Sequence, residues 1–270
     1  MMLLKDLLIK YQTEKKALPS FNIDSFEIYQ AVELAVKETN LPCLVQLSPN
    51  EDDFIHAERL LMLVRKANAD GLPLYLNMDH GLNVDRLLSL AKLGFDMLHY
   101  DGSTTDYQTN LSTTKYFVDK ARSINPNIII EVEFNALSED SETSPDQARE
   151  FMTTTSADLL AVSIGNIHGV DQNALEHLNI SLLSEIKKTL PETFFTLHGG
   201  SGISLDQVKL AISLGIVKIN INTDLRLKFK ESLKNQLVIN KSEKIYDYLN
   251  PVIADVKEII KQKILNFSNS

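Results

Sequence analysis

The sequence predicts an α/β protein of the (β/α)8 TIM-barrel class, a single domain over residues 1–270 with an N-terminal helix and an additional C-terminal helix. Three observations carry that prediction. Eight short, β-rich apolar runs alternate with amphipathic stretches along almost the whole chain. Parallel strands buried on both faces give such runs. The units recur at roughly 25 to 30 residues, and a chain of 270 residues matches the usual ~250 of one such barrel. No GxGxxG follows the first strand, which removes the main signature of a dinucleotide-binding sheet.

The elements follow in order. The start, MMLLKDLLIKYQTEKK, sets Leu3, Leu4, Leu7 and Leu8 at helical spacing around Lys5 and Asp6, an amphipathic helix rather than a leader peptide. Strands are expected at 18–23, 41–48, 73–80 and 97–102, and then at 127–134, 158–165, 192–199 and 217–223. Helices are expected at 26–39, 54–69, 84–93 and 107–123, then at 145–155, 180–189 and 204–214, with a tail helix at 252–267. Asn83 and Asp85 are candidate caps for the helix after the third strand. Residues 135–147, NALSEDSETSPDQ, are polar and acidic, long for a βα connection, and read as a lid.

The net charge of −9 argues against nucleic acid or an anionic membrane as the partner. Cys43 is the sole cysteine, which excludes an internal disulfide and suits a cytoplasmic location. No apolar run approaches the ~20 residues of a membrane span.

Three histidines end apolar runs beside glycine: His80 in NMDHG, His168 in IGNIHGV and His198 in TLHGGSG. In one barrel the C-terminal ends of those strands share a rim. Three neutral imidazoles around an open position make a catalytic zinc-type site. His56 lies on a helix-like stretch, His177 in a loop, and His99 inside the fourth strand, where packing is the expected role. Asp79 beside His80 either caps the next helix or exchanges a proton with substrate. Glu131 and Glu133 share one face of the fifth strand, with Ile130, Val132 and Phe134 on the other. Buried carboxylates need partners, so the pair implies a salt bridge inside the barrel or, for Glu133 near the rim, an ion or substrate site. HGGSGIS before a helix offers backbone N–H groups to an anion. Asn220, Asn222 and Thr223 end the eighth strand nearby, where barrels commonly hold phosphate. The combination suggests a metal-dependent retro-aldol reaction on a sugar phosphate.

The motifs SFNIDSFE (20–27), VQLS ending at Ser48, MDHG (78–81), YDGS (100–103), EVEF (131–134), GNIHG (165–169), LHGGSGIS (197–204) and VKININTD (217–224) resemble the class II, metal-dependent ketose-bisphosphate aldolases. That family acts on fructose- or tagatose-1,6-bisphosphate. The resemblance implies that His80, His168 and His198 hold a catalytic Zn2+ or related divalent ion, and that Asp79 is the acid/base. It implies a phosphate grip by Gly169, Gly199, Gly200, Ser201, Asn222 and Thr223. Asn220 would steady the enediolate, and Ser48 would sit near the carbonyl end. Asp101 and Glu133 match a second cation site, and Glu139 is the nearest match to the family's acidic lid residue. A homodimer or homotetramer is implied as well.

The chain departs from the family pattern in two of these places. The lid segment lacks glycine, and Val170, Asp171 and Gln172 follow His168–Gly169 where an aromatic residue and a lysine are usual. Three other readings stay open at this point: a different acceptor aldehyde, a weakly catalytic sugar-phosphate-binding paralogue, and a barrel hydrolase. The hydrolase is disfavoured because LPSFNI carries no HxH. A Schiff-base aldolase resting on Lys218 would leave the metal constellation unexplained.

Overall fold

Eight parallel strands pair in sequence order and close into a barrel. They are β1 (Leu18–Asn22), β2 (Cys43–Leu47), β3 (Leu74–Gly81), β4 (Met97–Asp101), β5 (Ile129–Glu133), β6 (Leu159–Ala161), β7 (Phe194–Leu197) and β8 (Ile216–Ile221). The computed structural model describes residues 1–135, 142–166 and 177–268. Around the barrel lie α1 (Leu4–Thr13), α2 (Phe26–Thr39), α3 (Pro49–Ile55), α4 (Ala57–Ala69), α5 (Val84–Leu93), α6 (Tyr107–Ile124), α7 (Pro145–Thr155), α8 (Ile180–Thr189), α9 (Leu205–Ser213), α10 (Thr223–Ile239) and α11 (Ile245–Ser268). None of the described helices is long and apolar enough to cross a membrane.

The two faces of each strand carry different chemistry. Outward residues such as Phe21, Val45, Leu76, Leu98, Ile130, Val132, Phe195 and Ile219 form the main core beneath the helices. Inward residues begin apolar. Leu18, Leu44, Tyr75, Met97, Ile129, Leu159, Phe194 and Val217 make one cluster with Leu4, Leu7, Leu8 and Tyr11 of α1. The N-terminal helix therefore plugs the lower mouth with its apolar stripe, and each such side chain contributes about 1.5–3 kcal/mol when fully buried. Further along the same inward track stand Ser20, Gln46, Asn77, His99, Glu131, Thr196 and Lys218, all buried. Polar side chains in a barrel interior must satisfy one another. Their partners form the site described below.

Three features differ from the sequence reading. The expected helix over 54–69 is two helices, α3 and α4, separated at His56 with φ 67°. Pro49 is the first residue of α3, a position that suits its fixed φ. Helix α10 has no counterpart among the expected elements. Only Leu225 and Ser232 of its residues are buried, so it leaves little apolar periodicity to detect. Helix α11 begins at Ile245 and runs through Pro251, rather than starting at 252. It lies along α2, where Lys257 and Lys261 pair with Glu38. The amide of Ala17 donates to the Phe267 carbonyl at 3.0 Å.

Candidate active site

Strand β3 presents two consecutive side chains to one cleft, which a regular strand cannot do. The register between β3 and β4 passes from Met78–Leu98 to Gly81–Tyr100, so Asp79 and His80 together oppose the single residue His99. This is a bulge. His80 takes φ 49°, a left-handed conformation that costs a non-glycine residue of order 1–3 kcal/mol. Its ring turns into the cleft, 4.7 Å from the His198 ring and 4.8 Å from that of His99, centroid to centroid. Gly81 is required by proximity. A Cβ there would lie 2.5 Å from Leu87 Cδ2 and 3.0 Å from the His99 carbonyl. Gly81→Ala is therefore expected to destabilise the protein by about 1–3 kcal/mol, as overpacking typically does, with thermal unfolding as the check.

Asp79 is buried, and both carboxylate oxygens are held by amides. Asn220 Nδ2 donates to Oδ1 at 3.0 Å and Gln46 Nε2 to Oδ2 at 3.0 Å. Gln46 also donates to Asn22 Oδ1 at 2.8 Å and accepts from Asn77 and Ser20. Burial opposes the charge on Asp79, but His80, His99, Lys218 and His198 outweigh it and hold the carboxyl well below its usual range. The cap of α5 is supplied by Asn83, whose side chain accepts from the Arg86 amide.

His198, at the end of β7, is buried and stands 2.8 Å from Glu131 Oε1 through Nε2. Asn220 Nδ2 lies 3.2 Å from its Nδ1. A proton on Nε2 fits both neighbours: it is donated to Glu131, and the Nδ1 lone pair accepts from Asn220. Carboxylates commonly orient metal-binding imidazoles in this way. Burial lowers the His198 pKa to about 3, against the raising effect of Glu131. The other oxygen of Glu131 accepts from Lys218 Nζ at 2.8 Å. Burial works against the Glu131 charge as well, yet Lys218, His99 and His198 keep its pKa well below the usual value.

A second cluster adjoins the first. His80 Nδ1 lies 2.7 Å from Asp101 Oδ2 and 3.7 Å from Glu133 Oε2. Burial pulls the His80 pKa down, but Asp79, Asp101 and Glu133 raise it to about 9. Burial, then Asp101, push Glu133 well above the ordinary carboxylate range. Ligand atoms of Asp79, His80, His99 and His198 all lie within 4.8 Å of one another, as do those of His80, Asp101 and Glu133. Glu133 Oε2 and His99 Nε2 are buried without a hydrogen-bond partner. The imidazole and carboxylate donors of His80, His198, Asp101 and Glu133, with the Glu133 oxygen left an orphan, fit a divalent cation.

The cleft is lined by Asn22, Ser48, Asp79, His80, His198, Gly199, Ser201, Asn220, Asn222 and Thr223. Gly199 has φ 65°. The Gly200 amide donates to the Asn220 carbonyl at 3.2 Å. A Cβ on Gly200 would sit 2.6 Å from Ile219 Cγ2, so this glycine lets the loop close against β8. Ser201 Oγ accepts from the Asp224 amide in the first turn of α10. The positive end of the α10 dipole thus meets the cleft at Asn222–Thr223.

Of the residues named from sequence, Ser48, Asp79, His80, His198, Gly199, Ser201, Asn220, Asn222 and Thr223 line this cleft. Asp101 and Glu133 stand beside His80, and Gly200 lies under the loop. Glu139, His168 and Gly169 lie outside the described residues. The sequence reading missed Asn22, Gln46 and Glu51 and assigned His99 to packing. Glu51 accepts from Asn22 Nδ2, the Ser48 amide and Arg226. Asn22, Gln46 and His99 lie on the inward phase of their strands, four residues beyond Leu18, two beyond Leu44 and two beyond Met97, and that phase was the available signal.

The chain is similar to known proteins along nearly its whole length. The family model for class-II fructose-bisphosphate aldolase matches residues 2–270. A fructose-bisphosphate aldolase of Thermus caldophilus is 30% identical over 98% of this chain and 97% of its own. One from Mycoplasma genitalium is 31% identical over 88% of this chain and 85% of its own. The crystal structure of the YdjI aldolase from Escherichia coli K12 superimposes with a TM-score of 0.87 at 29% identity, covering 98% of this chain and 96% of that one. The closed barrel, the His/Asp cluster at its mouth and these matches together mean that the chain belongs to the class II fructose-bisphosphate aldolase family, metal-dependent lyases that act on sugar phosphates.

Proposed function

We propose that residues 1–270 form one catalytic domain, a zinc-dependent aldolase that reversibly splits a fructose- or tagatose-type ketose 1,6-bisphosphate into dihydroxyacetone phosphate and an aldehyde. The observation that carries this reading is the bulge that brings Asp79 and His80 together beside His198 and the Gly199–Ser201 turn. His80, His168 and His198 are the metal ligands in this reading, with Asp101 and Glu133 available to a second cation. When bound, the divalent ion acts as a Lewis acid toward the negative charge that develops as the carbon–carbon bond breaks. Asp79, fixed by Asn220 and Gln46, accepts the proton of the C4 hydroxyl that becomes the aldehyde. Gly199, Ser201, Asn222 and Thr223, with Gly169, bind the phosphate of the ketone half, and Gly200 lets their loop approach. Asn220 orients the reacting oxygen, Ser48 faces the carbonyl end, and Glu139 serves proton transfer at the ketone-side carbon. The assignments of His168, Gly169 and Glu139 rest on sequence alone.

In this reading the protein acts in the cytoplasm as a homodimer or homotetramer. Leu237, Val238, Ile239, Ile245 and Tyr246 are all more than half exposed where α10 meets α11, and an apolar patch of this kind favours self-association. A second reading, an acceptor aldehyde other than glyceraldehyde 3-phosphate, is supported by the sequence departure at Val170, Asp171 and Gln172, where the family usually has an aromatic residue and a lysine.

The test is dihydroxyacetone phosphate release from fructose-1,6-bisphosphate and tagatose-1,6-bisphosphate, with and without chelator, followed by zinc. Chelator-sensitive cleavage that zinc restores is the expected result. Cleavage indifferent to chelator would sink the metal mechanism. Metal-loaded protein inert toward both substrates would favour the altered acceptor.

A further inference from the structure

We propose that His99 is a positioning residue for the metal site, holding the backbone of His80 in the left-handed bulge that turns its imidazole into the cleft. The inference rests on the reading of His80 as a metal ligand. Where Asp79 and His80 oppose His99 alone, the regular β3–β4 ladder is broken and leaves the His80 amide off its register. That amide donates to His99 Nδ1 at 3.1 Å, so a ring nitrogen replaces the strand carbonyl that a regular ladder would supply.

A backbone N–H can only donate, so this bond needs the lone pair on Nδ1 and puts the proton on Nε2; the nearest carboxylate oxygen to Nδ1, Asp79 Oδ1, lies farther off at 3.4 Å. Nε2 then points toward Glu133 Oε2, 3.6 Å away, and each of these atoms is buried without a hydrogen-bond partner. The same Glu133 oxygen lies 3.7 Å from His80 Nδ1. One buried ring therefore spans from the backbone of His80 to the carboxylate that faces its imidazole. His99 is fully buried and its ring lies 5.2 Å from that of His198, centroid to centroid. The requirement is specific: an acceptor one bond beyond Cγ. Asparagine retains such an acceptor, glutamine moves it outward, and leucine removes it.

The test uses the purified full chain and reads metal binding rather than turnover. Zn(II) dissociation constants come from competition with a chromophoric chelator, and the visible spectrum of the Co(II)-loaded protein reports ligand geometry. H99L and H99Q are expected to weaken Zn(II) binding about 10–100-fold, the usual loss when a residue supporting a metal ligand is changed, and to shift the Co(II) bands. H99N is expected to bind within about threefold of the parent, well short of that loss. H80A provides the reference and should bind far more weakly. If H80A weakens binding while H99L and H99Q do not, the positioning role is overturned and the site reading survives. H99N as weak as H99Q would also overturn it, because the Nδ1 acceptor would then be irrelevant. Parent-like affinity in H80A would overturn the site reading itself. Should H99L fail to fold by circular dichroism, the H99N and H99Q pair still decides.

Discussion

Asp79→Ala is expected to lower kcat by about 10²–10⁴-fold, the range for removing a general acid–base group, while Zn(II) content stays unchanged. The carboxylate is oriented by two amide donors, Asn220 Nδ2 and Gln46 Nε2, and its pKa is held well below the usual range against the effect of burial. It is ionised at neutral pH, so its oxygens are able to accept a proton. Its two hydrogen bonds leave it fixed while substrate binds, so the loss should fall on kcat more than on KM. Steady-state kinetics with metal analysis on the same sample decide the matter. A kcat within tenfold of the parent would remove Asp79 from the proton-transfer step.

Lys218→Met is expected to have the largest effect on stability. Lys218 and Glu131 are both fully buried, paired at 2.8 Å. Removing one partner of a buried ion pair leaves an uncompensated charge and costs about 3–5 kcal/mol. The consequence reaches the site, because Glu131 also faces His198 Nε2. Adding Glu131→Gln to Lys218→Met should recover most of the loss, since a neutral amide still accepts from His198 and no longer needs the cation. Denaturant melts of the single and double variants measure both. A double variant no more stable than the single would mean that the loss comes from packing of the lysine stem rather than from charge.

The strands were legible because each is a short apolar run, and the outer face of a parallel barrel keeps that run nearly continuous even where the inner face turns polar. Asp79, His80 and His198 were legible because they end such runs. The inner face was harder. Gln46, Asn77 and His99 sit mid-strand among apolar neighbours, and a single polar residue in that context reads as an isolated accommodation. Only the closed barrel reveals that these singletons face one another. The bulge at His80 was invisible for a related reason. Alternation along β3 sends Met78 and His80 to the same outward face, and nothing local to MDHG announces the left-handed turn that overrides it. Helix α10 left no stripe because most of it is exposed.

Closure of the barrel also sets an order of assembly during synthesis. β1 pairs with β2 on one side and with β8 on the other, and α11, last of the described elements, packs on α2 and bonds to Ala17. During synthesis β1 must therefore wait until Ile216–Ile221 has emerged from the ribosome before its second edge is covered. Until then it presents unpaired amides and carbonyls, with the association hazard of any open edge. Long-range pairings of this kind are slow to form. Asp79 gains Asn220, and Glu131 gains Lys218, only when β8 arrives. A ribosome stalled before residue 216 would hold a chain with most of its secondary structure encoded and its catalytic centre still in separate pieces.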